Sequence, residues 1–263
     1  MNIEFLKKAE EAKPKLTSKT HTVKGGQILA ENECAVYDFG THVVGYPKLY
    51  FSAVGAHYDA PALVKVRFCE TAQEFDEDTS KYNGWISKGW LQDEIIHLDE
   101  LPCAYAFKRR FAFRYIKAEV IATSPKYKLC IEKAVAKCVT SAPEQIAICG
   151  SDRKEKAIDK IALKTLSECM QYEFEDGPKR DMRLWLGDLR LQALTNYQTY
   201  RHNDLVKRCL YLFAATRMMK VISANAFSQN PKLLPTIRLC SIIHFCLFQR
   251  CMTILWRQAI SKR

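Results

Sequence analysis

Apolar and polar residues alternate through much of the first half of the chain. In "ALVKVRFCE", Val64, Val66 and Phe68 alternate with Lys65 and Arg67, the period of a strand with one buried face. "RRFAFRYIKAEV" repeats the pattern and places Phe111, Phe113 and Tyr115 on a core face, with Arg110 and Arg114 opposite. "PKLYFSAVG" and "KLCIEKAVAKCV" have the same character, and Gly, Pro, Asp and Asn clusters separate the runs. Several such strands predict an antiparallel β-sandwich over residues 1–145.

The period changes near residue 150. In "SDRKEKAIDKIALKTLSECM", Ile158, Ile161, Ala162, Leu166 and Cys169 follow helical spacing, and Asp152 and Glu155 are placed as a capping box. "LRLQALTNYQTY" continues as a helix with Ala193, Tyr197 and Tyr200 on one side. Asn203 is placed to cap the next, where Val206, Cys209, Leu210 and Phe213 share a face. The chain reads as multi-domain β + α, an amino-terminal sandwich followed by helical hairpins from residue 150.

Composition narrows the function classes. The 263 residues carry 48% hydrophobic side chains, enough to bury a core rather than stay disordered. "MNIEFLKKAEEAKPKL" has no apolar stretch before a cleavage site, and the apolar run "CSIIHFCLFQRCMTILW" is broken by His244, Gln249 and Arg250. Neither reads as a signal peptide or a membrane span, so a cytoplasmic location without membrane attachment is expected. The 11 cysteines are odd in number and contain no C-x-x-C pair, which points to reduced thiols rather than disulfides or a zinc site. The net charge of +11 would suit nucleic acid, but the stretch from Thr236 onward holds five Arg/Lys and no acid. The basic–aromatic weave of 108–117 is explained by a strand with one buried face. No nucleic-acid partner is expected.

Between the first two helices lies "EDGPKRDMRLWLGD", with Asp176, Asp181 and Asp188 and with Trp185 between the last two. Two readings are open. Asp176-Gly177-Pro178 is turn chemistry, Asp188 stands where a helix cap would sit, and Asp181 can be solvated beside Lys179, Arg180 and Arg183. Alternatively, the loop holds a sugar. Glycoside hydrolysis needs an acid at the leaving oxygen and an opposed carboxylate to activate water or attack carbon. Other carboxylates clamp sugar hydroxyls, and an aromatic wall covers the ring. The loop supplies an acid, clamps and a wall, but not the opposed base.

"DGPKRDMRLWLGD" followed by "LRLQALTNYQTY" resembles the catalytic-domain signature of the α-L-rhamnosidase family of glycoside hydrolases. "VYDFGTHVVGYPKLYFSAVGAHYDAPALVKVRFCE" resembles the β-sandwich that precedes their helical domain, and the similarity runs over roughly residues 30–235. The resemblance implies that residues 150–235 are the first helical hairpins of an (α/α)6 barrel, incomplete here. It also implies hydrolysis of terminal α-L-rhamnose with inversion, and a rhamnose-containing glycoside as partner. By position Asp176 and Asp188 match the sugar-binding aspartates, Trp185 a pocket tryptophan, and Asp181 the general acid. That acid is commonly glutamate in the family, and Arg180 and Arg183 beside Asp181 work against the raised pKa an acid needs. Two carboxyl groups suffice, so no metal or organic cofactor is implied. The alternative is a non-catalytic carbohydrate-binding protein.

An (α/α)6 barrel takes on the order of 300 residues, and the resemblance places the general base on a segment downstream of this chain. Past "SQNPKLLP" the sequence changes character to "TIRLCSIIHFCLFQRCMTILWRQAISKR". New codons formed from the third base of each codon and the first two of the next permit "DDTFMFDYSFLFVSALYDYFMATGDK", which resembles the family's continuation. Met252-Thr253 forces an aspartate, Phe245-Cys246 a leucine, and Cys251-Met252 a tyrosine or histidine. The expectation for 236–263 is an aberrant tail read in a shifted frame.

Overall fold

The structure, a computed structural model, describes residues 2–143, 150–180, 182–215 and 226–228. The expected frame-shifted tail at 236–263 lies outside them. The chain divides into two units, Ser18–Val139 with Pro178–Arg180 in one, and residues up to Thr17, Thr140–Gly177 and the described residues after Asp181 in the other.

The first unit is an antiparallel sandwich made from seven strands: β1 (Thr17–Leu29), β2 (Cys34–Gly55), β3 (Ala62–Cys69), β4 (Asp93–Leu98), β5 (Cys103–Ala106), β6 (Phe111–Ala122) and β7 (Tyr127–Thr140). They run in the order β1-β7-β2-β6-β3-β4, with β5 paired to β2. The 22-residue β2 turns the corner between the layers. Its first part pairs with β6 and its second with β7 and β5. Gly45 stands at the crossing, opposite both Phe111 and Cys138. A Cβ there would lie 2.3 Å from the Lys137 carbonyl oxygen, so the crossing needs glycine. Phe51, Phe68, Phe111, Phe113, Leu129 and Ile131 share one core, and Phe68 meets Phe111 at 3.9 Å and Phe113 at 5.3 Å between ring centroids.

Two side chains depart from the alternation. Tyr115 was expected beside Phe111 and Phe113, but the register of β2 against β6 shifts between Asp38 and Val43. The inward positions after Phe113 become Ile116, Ala118 and Val120, and Tyr115 packs edge-on against Phe75 at 5.2 Å. Arg67, on the polar side of its strand, is only 8% exposed. Three of the five cations of the 108–117 weave have acidic partners shown: Arg109 with Glu94 at 2.7 Å, Arg114 with Asp38 at 2.9 Å and Lys117 with Asp76 at 2.9 Å.

The second unit contains α1 (Ile3–Glu11), α2 (Arg153–Cys169), the short strand β8 (Arg183–Trp185), α3 (Leu186–Gln198), α4 (Asn203–Ala215) and β9 (Ala226–Ser228). Residues up to Thr17 group with this unit. The reason is packing on α4: the Asn2 amide donates to the Ala215 carbonyl at 2.7 Å, Phe5 stacks on Tyr211, and the Arg208 guanidinium donates to the Ala9 carbonyl. α2 starts as its sequence predicts, with the Glu155 amide donating to Asp152 at 2.8 Å. Glu155 reaches back to the Ser151 amide and hydroxyl, one residue before the cap. The buried stripe of α2 is Leu163, Leu166 and Cys169. Ile158 and Ile161 are 64% and 66% exposed, contrary to the expected apolar face. α4 buries Val206, Cys209, Leu210 and Phe213 as predicted.

Candidate functional site

The chain enters the candidate loop through an unusually polar buried segment. After α2, Met170 bridges to Phe174, and Gln171, Glu173 and Glu175 are 0%, 4% and 0% exposed. The backbone around Glu175 is fixed at both polar groups: its amide donates to the Cys169 carbonyl at 2.9 Å, and its carbonyl accepts from Gln192 Nε2 of α3 at 2.6 Å. The residue leading into Asp176 is therefore held from two helices.

Asp176 closes the neck of the loop. Its amide donates to the Arg183 carbonyl at 2.9 Å. Its Oδ1 accepts from the Gly177 amide at 2.8 Å and the Arg183 amide at 3.2 Å. The Met182 amide donates to the Gly177 carbonyl at 3.2 Å, with Met182 at φ 48°. One carboxylate oxygen thus satisfies two amides that the turn leaves open, which is the structural part of the turn-chemistry reading. Asp176 is half-buried rather than solvated.

Trp185 ends β8, opposite Ala226, and is the residue from which α3 starts. It is half-buried, and its indole N–H has no hydrogen-bond partner among the described residues. Asp188 does not cap the helix. It is exposed in the first turn of α3, where the helix dipole favours a carboxylate. Asp176, Trp185 and Asp188 are thus set on one neck, strand and helix start. Asp181, the expected general acid, lies outside the described residues.

Lys179 is one of the three cations that the sequence sets beside Asp181. Its side chain is 13% exposed, and its Nζ lies 2.6 Å from Glu74 and 3.4 Å from Glu70 of the sandwich unit. It also sits over the Trp90 ring, 5.6 Å from the centroid. Glu70 in turn lies 3.1 Å from His42 Nε2. Burial opposes ionisation of Glu70, but the His42 hydrogen bond and the Lys179 charge outweigh it and hold its carboxyl below the usual range. Sequence reasoning missed this cluster because Glu70, Glu74 and Trp90 stand about a hundred residues before Lys179, and no local pattern links them.

Comparison with known proteins bears on these residues. The family model described as glycosyl hydrolase family 78 alpha-rhamnosidase N-terminal domain matches residues 6–138. No curated protein sequence matches the chain. Among solved structures, a rhamnosidase from Klebsiella oxytoca with rhamnose bound is 35% identical with a TM-score of 0.91. The match covers 99% of this chain and 56% of that one, so the chain spans little more than half of that relative's length. A GH78 family rhamnosidase of Bacillus sp. GL1 is 23% identical, with a TM-score of 0.57 over 70% of this chain and 18% of that one. The Streptomyces avermitilis α-L-rhamnosidase complexed with L-rhamnose is 15% identical, with a TM-score of 0.57 over 82% and 20%. These last two likenesses concern the fold alone.

Proposed function

Since the chain belongs to the glycosyl hydrolase family 78 α-rhamnosidases, we propose that its loop 176–188 is the rhamnose-binding wall of an inverting α-L-rhamnosidase. The observation that carries this reading is the 35% identity, over 99% of the chain, to a rhamnosidase with rhamnose bound. Asp176 and Asp188 bind ring hydroxyls by charge-assisted hydrogen bonds. The half-buried Trp185 covers the ring. Asp181 is the acid that protonates the leaving oxygen, while a carboxylate from the barrel beyond this chain activates water on the opposite face. Turnover in this reading needs that opposed carboxylate as well as the loop.

The test is hydrolysis of an aryl α-L-rhamnoside by this chain and by a longer chain in which the reading frame after Pro235 is restored. Turnover by the longer chain alone, with β-L-rhamnose as the first anomer seen by NMR, supports the reading. Turnover by the 263-residue chain contradicts it. Rhamnose binding that survives Asp181→Ala, with neither chain hydrolysing, points instead to a carbohydrate-binding protein.

A further inference from the structure

The sandwich unit turns one sheet face to solvent along β5, β2 and β7. The register places Tyr46 opposite Lys137, Lys48 opposite Val135 and Ala106, Tyr50 opposite Lys133 and Ala104, and Val54 opposite Lys128. Leu49, Phe51, Leu129 and Ile131, which lie on the other side of the pleat, are buried in the core, so the first set stands on the outer face. Tyr46 and Val54 are 41% and 40% exposed, and Lys128, Lys137, Ala104 and Ala106 are exposed with them. From Tyr46 to Val54 this strip is about 27 Å long, and its three strands make it about 10 Å wide.

Its lysines are not neutralised. Other cations of the sandwich have carboxylates beside them, as Lys117 has Asp76 and Lys126 has Asp59. Among the described residues, Lys48, Lys128, Lys133 and Lys137 have no carboxylate partner. Lys48 and Lys133 instead lie over one ring, that of Tyr50, at 5.0 and 4.2 Å from its centroid. The face of the phenol attracts each ammonium, but two like charges crowd onto it with no acid to separate them. The one acid of β5 and β7, Glu132, is the extra residue where the pairing of β2 with β7 shifts between Tyr50 and Phe51.

From this face we infer that the sandwich binds an acidic polysaccharide, a chain of uronic-acid residues lying along β2 with its carboxylates on the four lysines and a sugar ring against Tyr46. The inference lies within the sandwich unit and does not depend on the loop at 176–188. The ammonium groups are spread along the strip rather than gathered at one point, which suits a linear polyanion and not a single small anion. All four cations are lysines. A phosphate-rich partner such as nucleic acid is best met by the planar fork of arginine, whereas isolated carboxylates are served by point charges. Between the cations, Tyr46, Val54 and Val135 offer a flat apolar surface for the faces of sugar rings.

The test is titration of the chain with polygalacturonate, with its fully methyl-esterified form and with the RNA homopolymer poly(U), followed by NMR or calorimetry. Polygalacturonate should bind, shift the amides of 46–54 and 128–137, and lose affinity as salt is raised. The methyl ester, which keeps the rings and loses the charges, should bind at least about tenfold more weakly. Lys133→Gln combined with Lys137→Gln should weaken polygalacturonate binding about tenfold. Lys154→Gln combined with Lys160→Gln removes the same charge from exposed positions of α2 and should change it less than about twofold. Tyr46→Phe should keep the affinity and Tyr46→Ala should lower it about threefold. Failure of polygalacturonate to bind, equal binding of its methyl ester, equal losses in the two lysine pairs, or tighter binding of poly(U) overturns the inference.

Discussion

The sandwich and the helical unit solve the same problem to different extents. In the sandwich, the core gathers around Phe51, Phe68, Phe111 and Phe113, and two of its buried polar residues have named partners: Arg67 with Asp93, and Gln92 with the Ala112 carbonyl at 2.6 Å. In the helical unit, α2 and α3 leave aliphatic side chains in water, with Ile158 at 64%, Ile161 at 66% and Leu191 at 62% exposure. The same unit buries Glu173, Glu175 and Asn196. A finished core hides apolar groups and exposes charge. The sandwich exposes apolar side chains too, Ile95 at 62% and Trp85 at 84%, so among the described residues what sets the helical unit apart is its buried acids, Glu173 and Glu175.

The largest effect expected from this contrast is in the sandwich. Phe68→Ala should cost about 3–5 kcal/mol in denaturant unfolding, because neighbours held in a closed two-layer core cannot collapse onto the cavity. A cost below about 1 kcal/mol would mean that the core is not the closed one described.

Next comes the Lys179 anchor. Lys179→Met leaves Glu70 and Glu74 facing each other without their cation, and should cost about 2 kcal/mol locally. Amides of Met182 and Arg183 should exchange faster while strand amides do not, and Lys179→Arg should recover part of the protection. Equal exchange in all three proteins would contradict an anchoring role.

The same cluster gives a pH dependence. Glu70 has a depressed pKa in the folded state, so its contribution is fully present above the ordinary carboxylate pKa and is lost as pH falls through the folded value. Protection of the 176–183 amides, measured by hydrogen exchange, should hold from neutrality to about pH 5 and decline below about pH 4. Unchanged protection in acid would remove Glu70 from the anchor.

The smallest change in stability should come from the helices. Ile158→Glu combined with Ile161→Glu should shift unfolding by less than about 0.5 kcal/mol each, yet raise the solubility of the chain by removing an exposed apolar stripe. A large destabilisation would show those side chains to be covered.

The strands of the sandwich were legible because period two survives in Val64, Val66 and Phe68 and in Leu129 and Ile131. The faces of α4 and the start of α2 were legible for the corresponding helical reasons. Tyr115 was not, because the register shift that turns it outward belongs to the pairing partner, β2. Ile158 and Ile161 follow helical spacing whether or not anything packs on them, so periodicity alone misplaced them. The association of α1 with α4 joins residues some two hundred positions apart and leaves no local signal. In the loop, the signature made Asp176, Trp185 and Asp188 candidates. Its letters did not show that Asp176 spends one oxygen on the loop neck, or that Lys179 pairs with Glu70 and Glu74. The constrained codons after Pro235 remain a statement about the gene, answered by resequencing codons 230–264 and the bases beyond: an inserted or deleted base supports the shifted frame, and an intact printed frame ends it.

The most direct test of the central claim is an NMR titration of the chain with L-rhamnose, repeated with Asp176→Asn. That substitution keeps an oxygen to accept from the Gly177 and Arg183 amides while removing the charge. The account expects saturable shifts at the amides of 176–188 and the Trp185 indole, weakened at least tenfold in Asp176→Asn with the loop neck intact, as for loss of a charge-assisted bond of about 1.5–3 kcal/mol. Shifts confined to other parts of the chain, or equal affinity in the two proteins, would contradict it.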